Sequence, residues 1–396
     1  MPSGRLGVKR RVRPRNLGKL AAPAVYPMIY LDHNATTPLD ERVLEAMQSY
    51  LGAFYGNPSG LYRLGRLSRG AVDTAREQVA ALVGAHPSEV VFTSGGTEAN
   101  NLALKGLAFA LEPGFLAIGA TEHPSVTEPA EFLRGRGWKV AVIPVDRAGL
   151  AEWDILEHLP AHGLRYVSLM LANNETGVIN PIAPLAAKLR ERGIYLHCDA
   201  VQAAGKIPVD FKAIGAHLLT LSSHKIYGPK GVGALIADKS APLVPLLHGG
   251  GQENALRGGT ENVAGIVGFG KAAELALTEL NTRQVHLLDL RQHLEQGLED
   301  LPGVTLFAKE TRRLPNTVQF GVAGYDGETL VMALDRLGFA VSSGSACAGG
   351  AGEPSPVLTA MGLDAAVAKS AVRISFGKGN TELEVSRLLE ALKSLV

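Results

Sequence analysis

A chain of 396 residues, 46% hydrophobic and 19% charged, is long enough to bury a large core and to divide into two domains of a soluble globular protein. No apolar run approaches the length of a membrane span, so no membrane role is expected. Formal net charge is +1, but seven Lys and Arg and no acid fall in residues 1–27, so the remainder is net acidic and direct nucleic-acid binding is not expected.

The basic segment 1–27 has three readings. A targeting peptide is disfavoured, because the segment holds only Ser3 and no clear amphipathic helix. The others are a disordered arm and an extension ahead of a start at Met28; a disordered or spurious extension is the expectation.

From Ile29 the chain reads Ile-Tyr-Leu-Asp-His-Asn-Ala-Thr-Thr-Pro, a short strand and then a polar turn. Val72, Ala75, Val79, Leu82 and Val83 fall at helical spacing, and Gly84 closes that helix. Short β-rich runs follow at Glu89–Phe92, Phe115–Ile118, Val140–Val145, Tyr166–Leu171, Ile194–Cys198, Leu218–Leu221 and Val232–Ile236. Helical stretches such as Thr97–Ala110 and Ile182–Arg192 lie between most of them. This alternation predicts an α/β fold, with a mostly parallel sheet covered on both faces and ligands beyond the carboxyl ends of its strands. After about residue 276 a long helix, Glu279–Leu298, opens a mixed pattern that reads as a smaller α+β domain. The expected division is 1–27, an N-terminal segment 28–41 joining the small domain, a large domain 42–275, and a small domain 276–396.

The strand ends carry the chemistry. After Glu89–Phe92, Thr93-Ser94-Gly95-Gly96-Thr97-Glu98 opens a helix. Glycines let backbone amides approach an anion and the helix start leaves N–H groups unpaired, so Gly96 and Thr97 read as a phosphate cradle. A capping turn is the rival reading. It is not a Walker loop, because no Gly-Lys-Ser/Thr follows, nor a GxGxxG fingerprint. The next ends bring His123, in Thr121-Glu122-His123-Pro124, and Asn174, in Asn173-Asn174-Glu175. Strand Ile194–Cys198 runs into Asp199-Ala200-Val201-Gln202, a carboxylate whose burial demands a partner. Strand Leu218–Leu221 runs into Ser222-Ser223-His224-Lys225, where a poorly solvated amine serves as a nucleophile. An Asp199–Lys225 ion pair of purely structural purpose is the competing reading. Together, an anion cradle, an imidazole, an acid and an amine suit a phosphorylated pyridine aldehyde: the lysine for the aldehyde, the acid for the ring nitrogen, the helix start for the phosphate.

The run Ser-Ser-His-Lys-Ile-Tyr-Gly-Pro-Lys-Gly, with Asp199-Ala200-Val201-Gln202 and Thr121-Glu122-His123, resembles the pyridoxal-phosphate site of class V aminotransferase-fold enzymes, and more narrowly that of NifS/IscS-type cysteine desulfurases. The likeness runs from about Ile29 to Gly377. It implies the type I fold of pyridoxal-phosphate-dependent transferases, with a seven-stranded, mostly parallel sheet. It also implies Lys225 as Schiff-base lysine, Asp199 as ring-nitrogen partner, Gln202 and Asn174 near the ring oxygen, and His123 stacked on the ring. Thr97, Ser222 and His224 would hold the phosphate. The segment Leu256-Arg257-Gly258-Gly259-Thr260 resembles the loop in which a threonine reaches the partner subunit's phosphate, so Thr260 and a homodimer are implied.

Residues 342–355, Ser-Ser-Gly-Ser-Ala-Cys-Ala-Gly-Gly-Ala-Gly-Glu-Pro-Ser, hold almost nothing to pack, so this loop and Cys347 within it are expected to be mobile and exposed. The loop resembles the longer cysteine loop of the NifS/IscS group, although Ala348–Gly352 is richer in glycine. Cys198, inside a strand, reads as inert; two cysteines make neither a disulfide framework nor a zinc pattern, which fits a reducing, cytoplasmic setting. Arg373, on the apolar run Ala371–Phe376, suits a carboxylate; by resemblance it holds the substrate's, and a fold-stabilising ion pair is the rival. The implied activity converts L-cysteine to alanine, with Lys225, Cys347 and His123 catalytic and the sulfur left on Cys347 as a persulfide. The implied acceptor is an Fe–S scaffold, with transient cluster contact through Cys347, or a tRNA-thiolation protein. Selenocysteine lyase and a class V transaminase are the nearest alternatives. A non-catalytic cofactor-binding protein is a more distant one.

Overall fold

The computed structural model describes residues 28–159, 163–343 and 353–396. The basic extension 1–27 and Cys347 lie outside the described residues.

The described chain opens with β1 (Ile29–Tyr30), α1 (Glu41–Leu51) and α2 (Arg63–Leu82). Next come β2 (Val90–Thr93), α3 (Gly96–Ala110), β3 (Phe115–Gly119), α4 (Pro124–Arg134) and β4 (Lys139–Ile143). Then follow β5 (Leu164–Ser168), α5 (Ile182–Glu191), β6 (Tyr195–Asp199), α6 (Phe211–Ile214), β7 (Leu218–Ser222) and β8 (Gly233–Ala237). Strands β2 to β8 form one seven-stranded sheet in the order β2-β8-β7-β6-β5-β3-β4. Within it β8 alone runs against the rest, pairing antiparallel with both β2 and β7. The mostly parallel sheet expected from the alternation is therefore present, and its near-continuous apolar strands are buried on both faces.

Strand limits differ by one to three residues from the sequence reading. The run Tyr166–Leu171 pairs as Leu164–Ser168, and Asp199 and Ser222 are the last residues of β6 and β7 rather than the first beyond them. The ladder continues while a partner strand is within reach, whatever the hydropathy of the last side chain.

Helix α2 turns Val72, Ala75, Val79 and Leu82 inward, against α7 (Val263–Thr278), whose Ile266, Phe269, Ala272 and Ala273 face the same core. The cap Gly84 sits at φ +63°, a left-handed position that favours glycine. At Glu279 the chain passes into α8 (Leu280–Glu299), whose Leu287, Leu290, Leu294 and Leu298 belong to a second core. That core is built by β9 (Val304–Leu306), β10 (Thr317–Val322), α9 (Gly327–Arg336), β11 (Phe339–Ala340) and β12 (Ser342–Ser343). Next come α10 (Pro356–Ala360) and α11 (Ala365–Lys369), which pack with Val145 and Phe307 in a smaller cluster, and then β13 (Ala371–Ser375) and α12 (Glu382–Leu395) complete the second core. The antiparallel order is β12-β13-β10-β9, and β1 pairs parallel with β11. Leu31 is buried in this second core, so the N-terminal segment starts there. It then crosses to the large sheet, where Thr37 N–H donates to the His224 carbonyl at 3.0 Å.

Candidate active site

A cavity of about 270 Å³ opens at the carboxyl ends of the parallel strands. Of the residues singled out in the sequence, it is lined by Gly96, Thr97, His123, Asn174, Asp199, Gln202, Ser222, His224 and Lys225. Arg373 and Thr260 are not in this lining.

The cradle forms where β2 turns into α3. Glycine is required here by crowding: a Cβ on Gly233 of β8 would lie 2.7 Å from the Gly95 backbone, and one on Gly96 would lie 3.1 Å from Val201. The capping-turn reading is half right. Glu98 Oε2 accepts the Ser94 N–H at 2.7 Å, yet no side chain caps the helix, whose N-cap is Gly95. The first amides of α3 thus face the cavity beside Ser222 Oγ, a buried hydroxyl with no partner. Open amides beside an orphaned donor are what a phosphate satisfies.

Opposite the cradle, Asp199 is buried, and both its oxygens are engaged. Oδ1 accepts the Val201 N–H at 2.9 Å and Oδ2 accepts from Asn100 Nδ2 at 2.8 Å. Asn100 was not singled out in the sequence; its signal is its place one turn after Gly96, on the face that α3 turns to the cavity. Its Nδ2 also donates to Ser125 Oγ at 2.8 Å, and that hydroxyl lies 2.8 Å from His123 Nδ1. Nδ1 accepts the Ser125 N–H at 3.1 Å as well, because His123 is the N-cap of α4 with Pro124 behind it. An Nδ1 that accepts leaves the ring proton on Nε2. Burial holds His123 below the usual imidazole range, so the ring is neutral at physiological pH. The buried acid Glu122 is pushed up by burial and by Asp199, and its Oε1 accepts the Met170 N–H at 2.5 Å.

Lys225 lies three residues past β7, in a tight turn. Its Nζ donates to the carbonyls of Asn34 and Ala35, at 2.6 and 2.7 Å. The sequence reading paired the acid and the lysine across adjacent strands, and β6 and β7 are indeed neighbours, with Asp199 opposite Thr220. It missed the N-terminal turn that receives the amine. That turn is locked on by Thr37 Oγ1, which accepts the Tyr227 N–H at 2.8 Å, while Tyr227 holds φ +70°. His224 Nδ1 is 3.1 Å from Thr36 Oγ1, and burial lowers this imidazole to about 4.

Arg373, on β13, is nearly buried. It donates to Asp32 at 2.6 Å and to the Asn174 carbonyl at 3.0 Å, and its Nε has no partner. The ion-pair reading and a carboxylate-binding role are thus compatible. Thr260 is exposed, in a loop whose Glu253, Asn254 and Ala255 are all left-handed. Arg76 and the Phe92 N–H anchor that loop through Glu253. The segments flanking the Cys347 loop are held too: Ser342 pairs with Arg373, and Ser355 donates to Glu175 at 2.6 Å. Cys198 is fully buried, and burial pushes its thiol well up, as expected of an inert thiol. Among the described residues no group of His, Cys, Asp and Glu could hold a metal ion, and no helix is long and apolar enough to cross a membrane.

This fold and site define a class V aminotransferase-fold protein, and the sequence model of that family, Aminotransferase class-V, matches residues 29–388. Within it, the chain belongs to the cysteine desulfurase family of the IscS and NifS kind. It is 43% identical over 371 residues to a cysteine desulfurase IscS from Dictyoglomus turgidum, covering 93% of this chain and 94% of that one. A solved NifS-like protein superposes with a TM-score of 0.88 at 38% identity, covering 93% of this chain and 99% of the other. A structure described as SspA in complex with cysteine gives 0.79 at 34% identity, covering 88% and 98%.

Proposed function

We propose that the protein is a pyridoxal-phosphate-dependent L-cysteine desulfurase, acting as a homodimer and leaving the sulfur on Cys347 for an acceptor protein of Fe–S assembly or tRNA thiolation. The observation that carries the cofactor is the unpartnered Ser222 Oγ beside the open amides of α3, with Asp199 and Lys225 across the same cavity. The residues fit the group: Gly96, Thr97, Ser222 and His224 would hold the phosphate, Asp199 the ring nitrogen, Gln202 and Asn174 the ring oxygen and His123 the ring, with Thr260 supplied by the partner subunit. Bound there, it supplies an aldehyde for the substrate amine and a ring that accepts the electrons released at Cα.

The chain's own residues supply the rest. Lys225 would hold the aldehyde and take the substrate's α-proton. Arg373, whose Nε has no partner, would take the α-carboxylate. The Cys347 thiolate attacks the substrate's sulfur, so an S–S bond forms and the Cβ–S bond breaks. The electrons of the broken bond stay with the carbon skeleton, which gains a proton and leaves as alanine. Thiol plus cysteine therefore gives persulfide plus alanine, with no external oxidant. His123, neutral with its proton on Nε2, would move a proton at the substrate's sulfur.

The test is alanine release from L-cysteine by the intact chain and by Cys347→Ala. Wild type is expected to be yellow, to release alanine, and to lose its colour on borohydride with label on Lys225. Alanine formation that survives in Cys347→Ala would overturn the thiol's role and favour the selenocysteine-lyase or transaminase alternative.

A further inference from the structure

Four residues after Gln202, the amine of Lys206 sits 94% buried, in the turn between β6 and α6, with no place in the cavity lining. Its Nζ donates to Gln202 Oε1 at 2.7 Å and to Asn34 Oδ1 at 2.8 Å. An amine nitrogen bonded to oxygen acceptors settles which end of each amide is which. Gln202 must therefore turn its oxygen to Lys206 and its nitrogen away, and Nε2 donates to the Asn34 carbonyl at 3.0 Å. That leaves the second N–H of Nε2 as the amide's remaining donor, on a side chain that lines the cavity. The same lysine fixes Asn34, whose carbonyl receives Lys225 Nζ and whose Nδ2 donates to the Asn174 carbonyl and to Thr317. The turn just before the lysine is close-packed: a Cβ on Gly205, at φ +73°, would lie 2.8 Å from Ile226. Both amide oxygens stay bonded whether the amine is charged or neutral, because a neutral amine still has two N–H groups.

We propose that Lys206 is a positioning residue: it presents Gln202 to the cavity as a hydrogen-bond donor and holds the Asn34–Ala35 turn that receives Lys225. This rests on the pyridoxal-phosphate reading above. Burial and the nearby charges of Lys225 and Arg373 push the Lys206 amine well down, which fits a group kept for its N–H donors rather than its charge.

The experiment titrates pyridoxal phosphate into the cofactor-stripped full-length chain and reads visible absorbance and the dissociation constant. The set is wild type, Lys206→Met, Lys206→Gln, Gln202→Ala and the Lys206→Met/Gln202→Ala pair, with melting recorded for each. Lys206→Met is expected to weaken binding about tenfold or more and to displace the absorbance maximum. Lys206→Gln, which keeps a donor, should recover part of both, and serves in its place if Lys206→Met is not recovered folded. In the Gln202→Ala background the Lys206→Met penalty should shrink to less than half on a logarithmic scale. Wild-type affinity and absorbance in Lys206→Met, or penalties that simply multiply in the double variant, would overturn the proposal while leaving the cofactor reading intact. Failure of wild type to bind would end both.

Discussion

The individual side chains of the cavity carry two kinds of partner. One kind is local and was readable: Asp199 ends β6, Lys225 follows β7, and the parallel pairing of β6 and β7 brings them to one edge. The other kind comes from more than 100 residues away, as with Asn34 against Lys206 and Lys225. Glu175 shows the same distance effect, since its partners Gln319 and Ser355 belong to the second core's strands and to the base of the Cys347 loop. Burial lifts its carboxyl to about 7, partly offset by Ser355, Arg373 and Gln319. A carboxyl whose folded value exceeds its unfolded one adds stability when protonated, and that contribution is lost as pH rises from about 4.5 through about 7. Glu175→Gln cannot titrate. The stability of wild type relative to this variant is therefore expected to fall between pH 5 and 8, by about 3 kcal/mol at most. Urea unfolding across that range measures it, and a difference independent of pH would refute the assignment.

At the level of elements, hydropathy alternation located the seven strands of the large sheet to within a few residues, because a strand covered on both faces must be apolar along its length. What it did not show is that β8 is reversed, since a fully buried strand reads the same in either direction. That reversal has a consequence for the cradle, because it brings Gly233 against the Gly95 backbone. Gly233→Ala is expected to push the start of α3 away, costing about 1–3 kcal/mol of stability and weakening cofactor binding. Melting temperature and a pyridoxal-phosphate titration check both parts. A variant with unchanged affinity would mean that the cradle tolerates the displacement.

At the level of the whole molecule, Thr260 is exposed and lies outside its own chain's cavity lining. If it completes the partner's site, a mixture of Lys225→Ala and Thr260→Ala chains forms dimers with one intact site, and activity rises above that of either variant alone. If Thr260 serves its own chain, the mixed dimer has no intact site and no recovery occurs. Unfolding and refolding the mixed chains, then assaying alanine, distinguishes the two.

The order of strand ends and their chemistry, an anion cradle, an imidazole, an acid and an amine, was determined by the sequence alone, because each sits within a few residues of a buried strand whose limits hydropathy marks. Tertiary structure alone decided how those groups are oriented. Asn100 reaches Asp199 and His123 through Ser125, Lys206 turns Gln202, and the Asn34–Ala35 turn receives Lys225. Hydrogen-bond partners are chosen by proximity in space, and only the crossing of the N-terminal segment from the second core to the large sheet creates that proximity.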